Sequence, residues 1–138
     1  MLFSLGLFNL LSPQRLEVRQ MDTQSEAVAL EVKTALAKAY GDRLAALYVF
    51  GSRARGDHRP DSDLDLAVVL RNASPPLASV DDALLDVTYP IEIGHGVHIQ
   101  AWALAADEAG HPSTAFRSRL AETVRREGIL CERRIRRI

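Results

Sequence analysis

The chain has 138 residues, 47% of them hydrophobic and 25% charged, with a formal net charge of −1. That size and balance describe one globular domain with room for one core, and the near-zero charge excludes a general electrostatic attraction to nucleic acid. The single cysteine, Cys131, excludes an internal disulfide framework and fits a reducing cytoplasm.

Met1 to Leu11 is rich in Leu and Phe. It lacks the basic start and small-residue cleavage site of a secretory signal, and it is too short to span a bilayer. Residues 1–20 read as an extension outside the fold, either from an upstream start codon or as a helix that docks on a partner or membrane surface. The domain then runs over residues 21–138. Thr23 to Tyr40 has helical spacing, with Ala27, Leu30, Leu36 and Tyr40 on one side and Gly41 as the stop. Leu44 to Phe50 is the short, continuous apolar run of a buried strand.

The densest chemistry follows. Gly51-Ser52-Arg53-Ala54-Arg55-Gly56 is a glycine-flanked turn. Gly51 allows a sharp change of direction. Ser52 stands where a helix can start, so its hydroxyl and the nearby backbone N–H groups form a candidate anion cradle. Arg53 and Arg55 supply positive charge for a nucleoside triphosphate. Five polar residues later, Ser62-Asp63-Leu64-Asp65-Leu66-Ala67-Val68-Val69-Leu70 reads as a second strand. Residues i and i+2 of a strand share a face, so Asp63 and Asp65 project together. Two adjacent carboxylates repel unless a cation sits between them. Hard oxygen donors beside a triphosphate suit Mg²⁺, with Mn²⁺ as a substitute.

Arg71 to Pro76 is a loop. A helix starts near Ser79; Pro90 is expected to kink or break it, and Gly94 or Gly96 to end it. Val97 to Leu104 is the third strand, with His98, Gln100 and Trp102 on one face. Trp102 is read either as core or as a lining of the nucleotide pocket. Ala105 to Pro112 is a connection. Phe116 to Arg126 is a helix with Phe116, Leu120 and Val124 on one side. Gly128 ends it, and Ile129 to Glu132 is a short edge strand in which Cys131 serves as a small apolar residue. Residues 117–138 hold eight arginines and three glutamates. That end is read either as a solvated tail or as an arm for an acidic partner or RNA. The order α-β-β-α-β-α-β gives an α+β fold, a mixed sheet with helices packed mainly on one face.

The pattern from Gly51 to Val68 resembles the minimal nucleotidyltransferases of the DNA polymerase β superfamily. The resemblance is tight over about 20 residues and extends loosely from Thr23 to Cys131, including the ending Val124-Arg125-Arg126-Glu127-Gly128-Ile129-Leu130-Cys131. It implies a nucleotidyltransferase fold and transfer of a nucleotide, usually AMP from ATP, to a hydroxyl. Gly51, Ser52, Arg53, Arg55 and Ser62 would bind the nucleotide, while Asp63 and Asp65 would be the catalytic carboxylates and the metal ligands. Many such proteins are antitoxins of HEPN-type toxins, which implies a HEPN toxin as partner in the cytoplasm, with no membrane and no requirement for nucleic acid. The family also has a third carboxylate on a neighbouring strand. The third strand here carries none, which leaves Glu92, His98, Gln100 or a partner residue to replace it. Two further functions stay open: a catalytically weak nucleotide-binding antitoxin that masks its toxin, and a small-molecule enzyme of the aminoglycoside-modifying type.

Overall fold

The computed structural model describes residues 21–73, 76–106 and 114–132. The extension over residues 1–20, the segment 107–113 and the last six residues lie outside the described residues. Helix α1 is Thr23–Tyr40 and leads through a single 3₁₀ turn, Gly41–Arg43, into strand β1, Leu44–Phe50. A one-turn helix α2, Ser52–Arg55, precedes strand β2, Leu64–Leu70. Helix α3, Leu77–His95, crosses to strand β3, Ile99–Ala105. Helix α4, Ala115–Glu127, and the two-residue strand β4, Ile129–Leu130, complete the described chain.

The strands form one mixed sheet in the order β3-β2-β1-β4. β1 is antiparallel to β2 and to β4, whereas β2 and β3 run parallel. Parallel neighbours need a long crossover, and α3 supplies it. Side chains alternate between the two faces. One face carries Leu47, Val49, Leu64, Leu66, Val68 and Leu70, which pack with α1 and α3 in the larger core. The other carries Ala46, Tyr48, Ala67, Val69 and Leu104, covered by Leu120, Ala121 and Val124 of α4. Two long helices on one face and one shorter helix on the other match the α+β expectation.

Each helix has a local cause. Asp22 caps α1 by accepting the Ser25 N–H at 3.0 Å. The buried stripe of α1 is Val28, Ala29, Val32 and Leu36, so the expected face is corrected by a rotation that leaves Ala27 exposed. The two valines bury more apolar surface than the alanine would. Thr114 caps α4 through the Arg117 N–H at 3.1 Å. Pro90 lies inside α3 and does not end it; the helix continues to a left-handed Gly96. Pro90 and Asp86, whose carbonyl loses its helical donor, are both exposed, so water replaces the missing bond.

Edge strand β3 is partly blocked by side chains. Asp81 Oδ1 accepts the Ala103 N–H at 2.8 Å, and Arg117 Nη1 donates to the Ala103 carbonyl at 3.0 Å. Arg117 also pairs with Asp81 Oδ2 at 2.6 Å. The backbone groups of Ala103, in the second half of the strand, are thereby withheld from another strand.

Candidate active site

The site forms where β1 ends beside the start of β2. Phe50 stands opposite Asp65 in the antiparallel register, so the turn at Gly51 meets that carboxylate. Gly51 has φ +80°, a conformation that favours glycine. A Cβ at Gly51 would also collide with Asp65 Oδ2. Both backbone conformation and close approach therefore select glycine here. The turn continues as α2, and Gly56, at φ +86°, ends it in the left-handed region. Because α2 is a single turn, its macrodipole is small. An anion at this point depends on Ser52 and Arg55 more than on the helix terminus.

Asp65 lies on the same face as Ala67 and Val69, the face covered farther along by α4. Burial, then the charges of Asp63 and Glu127, push the Asp65 carboxyl up to about 6. A divalent cation would reverse that penalty. Among the described residues no group of three or more His, Cys, Asp or Glu is placed to hold a metal. A cation beside Asp65 would therefore have the Asp63 and Asp65 carboxylates as its donors. That set fits Mg²⁺, which binds through one or two carboxylates and completes its shell with water and phosphate oxygens.

The flanking residues fall into two groups. Arg53 is 1% exposed. Its guanidinium donates to the carbonyls of Ser62 (3.0 Å) and Pro60 (3.2 Å) and to Ser25 Oγ (2.9 Å). The expected phosphate role of Arg53 is therefore corrected: it fastens the 57–62 loop to α1. Ser62 Oγ accepts the Arg59 N–H at 2.8 Å and so helps to hold the same loop. Arg55 remains at the mouth with its side chain 46% exposed, held by Asp57 at 3.2 Å and Glu127 at 3.0 Å. Gly51, Ser52, Arg55, Asp63 and Asp65 are thus brought together, and Arg53 and Ser62 stand behind them.

Gln100 is the β3 residue in register with Asp65. No carboxylate occupies that strand position. Glu92 is committed elsewhere: Oε1 accepts the Ile99 N–H at 3.1 Å and Oε2 pairs with His98 Nδ1 at 3.0 Å. The His98 pair holds Glu92 below the usual carboxylate range, and Glu92 in turn raises His98. His98 Nε2 lies 3.3 Å from Gln100 Nε2. Glu92, His98 and Gln100 thus form a polar chain on the β3 side of Asp65.

Glu127 was not among the residues expected here. It closes α4, and its Oε2 accepts the Gly51 N–H at 2.7 Å. An acid in the last turn of a helix opposes the macrodipole, so it needs compensating donors. That mismatch was the available signal in the sequence. Trp102 is half-buried and meets Phe116 edge-on at 5.0 Å. Cys131 is buried with its thiol pushed up to about 11, as a small core residue. A hollow lined by Leu30, Lys33, Thr34 and Ala37 lies on α1 and includes none of the motif residues.

Residues 30–109 match the family described as the nucleotidyltransferase domain. A proposed nucleotidyltransferase from Sulfolobus solfataricus, solved at 1.40 Å, aligns with 17% identity over 83% of this chain and 89% of that chain, at a TM-score of 0.46. A likeness at that level carries no argument of its own. No curated protein matches the chain. The family match spans more than half of the sequence and contains the whole Gly51–Asp65 constellation: the chain belongs to the nucleotidyltransferase domain family.

Proposed function

We propose that the protein transfers AMP from Mg²⁺-bound ATP to a hydroxyl of a partner protein, as the antitoxin of a HEPN toxin. The observation that carries the transfer chemistry is the Asp63–Asp65 pair set against the Gly51 turn. With Mg²⁺ bound, the site gains a Lewis acid that offsets charge on the phosphate oxygens. Asp63 and Asp65 hold that ion. Ser52 and Arg55 bind the β- and γ-phosphates and keep the leaving side fixed. The acceptor oxygen forms a bond to the α-phosphorus, the bond from that phosphorus to the bridging oxygen breaks, and pyrophosphate leaves. The acceptor hydroxyl proton passes to solvent.

A protein acceptor is supported by the resemblance of the motif to minimal nucleotidyltransferases. An exposed stripe of Leu85, Tyr89 and Ile93 on α3 is compatible with a partner. No helix of the described residues is long and apolar enough to cross a membrane.

Gln100 at the position beside Asp65 favours a second reading, in which the protein binds the nucleotide and neutralises its toxin by covering it. Co-expression with a HEPN toxin separates the two. Under transfer, the Asp63→Asn, Asp65→Asn double variant loses protection while still binding the toxin. Under masking, it protects as well as the native chain. A native chain that neither binds nor protects against a HEPN toxin would remove the antitoxin reading.

A further inference from the structure

Glu127 joins the end of α4 to the nucleotide turn through a single oxygen. Oε2 accepts both the Gly51 N–H at 2.7 Å and Arg55 Nη1 at 3.0 Å. The residue is 8% exposed, so its charge is largely removed from water, and these two donors help to offset that burial. Its place is set from two sides. Gly128 follows with its N–H on the Val124 carbonyl at 2.7 Å, and a Cβ there would lie 2.6 Å from the same oxygen. Ile129 then pairs with Val49 of β1, one residue before Phe50 and two before Gly51. The end of α4 and the turn are thus parts of one strand-paired corner.

We propose that Glu127 is a positioning residue of the nucleotide site: it fixes the Gly51 turn and aims the Arg55 guanidinium at the substrate's phosphates. The assignment rests on the nucleotide-transfer reading of the site. An unrestrained arginine loses side-chain freedom when it meets a phosphate. Here Glu127 and Asp57 already hold Arg55 from two sides, so that loss is incurred on folding. Glu127 is not placed as a third metal ligand, since no three-carboxylate group forms among the described residues.

The test is calorimetric titration of the full chain with the Mg²⁺ complex of α,β-methylene-ATP, which binds without transferring. Glu127→Gln keeps an acceptor for the Gly51 N–H and removes the charge that holds Arg55. It is expected to weaken binding about tenfold, and Arg55→Gln to weaken it at least as much. The combined variant is expected to bind no more weakly than Arg55→Gln alone, because Glu127 acts through Arg55. Glu127→Asp, which keeps the charge but withdraws it by one methylene from Arg55 and from the Gly51 N–H alike, serves if the Gln variant fails to fold; its loss should shrink without Arg55, leaving only the part that runs through the Gly51 turn. Tighter binding by Glu127→Gln would make Glu127 a competitor for the phosphates and overturn the assignment. Fully additive losses would make it a general support of the fold and also overturn it. Failure of the native chain to bind the analogue would overturn the nucleotide reading itself.

Discussion

Two residues at the turn carry opposite stresses. Gly51 is confined by its positive φ and by Asp65 above it. Gly51→Ala is expected to cost at least about 1–2 kcal/mol from the left-handed backbone alone. Urea denaturation should show it as a lower midpoint with an unchanged slope. Asp65 is stressed electrostatically, because burial, Asp63 and Glu127 all favour its neutral form. A carboxyl raised from 3.8 to about 6 binds its proton more tightly in the folded chain than in the unfolded one. Stability therefore falls as pH rises through that window. Asp65→Asn should stabilise the fold at pH 8 by on the order of 1 kcal/mol after solvent screening is discounted, read as a higher melting temperature. The gain should shrink toward pH 4, where both forms are uncharged. A gain of equal size at both pH values would contradict the electrostatic cause.

At the scale of elements, the legible parts were those with a strong local period. α1, β1, β2 and the order of all later elements follow from apolar spacing, capping residues and glycine stops. The less legible parts depend on contacts far apart in sequence. Nothing near Arg53 shows that Ser25, 28 residues earlier, takes its guanidinium. An arginine in a glycine-flanked turn therefore reads as a phosphate ligand until the fold buries it. Pro90 misleads for a different reason: a helix tolerates proline where the orphaned carbonyl faces water. Glu127 lies 76 residues from Gly51, beyond any local pattern.

These long-range fasteners can be tested individually. Arg53→Ala should destabilise the fold by about 2–4 kcal/mol, since it empties the space of a buried side chain and leaves the buried Ser25 hydroxyl without its donor. Limited proteolysis should then cut the 57–62 loop first. Asp81→Ala should cost about 3 kcal/mol, because it leaves Arg117 buried without its partner. A combined Asp81→Ala, Arg117→Met variant should recover part of that loss, as the unpaired charge is gone. Chemical denaturation of the four proteins of this cycle would measure the coupling.

Across the whole molecule, the sheet divides the labour. Its α1–α3 face carries the larger core, and its other face is shared between α4 and the site residues. Asp65 on β2, Gly51 after β1 and Gln100 on β3 are brought together by strand register. Site geometry is thus inherited from the stable part of the fold, and α4 reaches it through Glu127. The central claim is that this corner transfers a nucleotide. It is tested most directly with ATP labelled on the α-phosphate, Mg²⁺ and the native chain together with the HEPN toxin proposed as its partner. The account predicts covalent label on the partner, release of pyrophosphate, and loss of both in the Asp63→Asn, Asp65→Asn variant. Labelling that persists in that variant, or ATP bound without any pyrophosphate released, would contradict it.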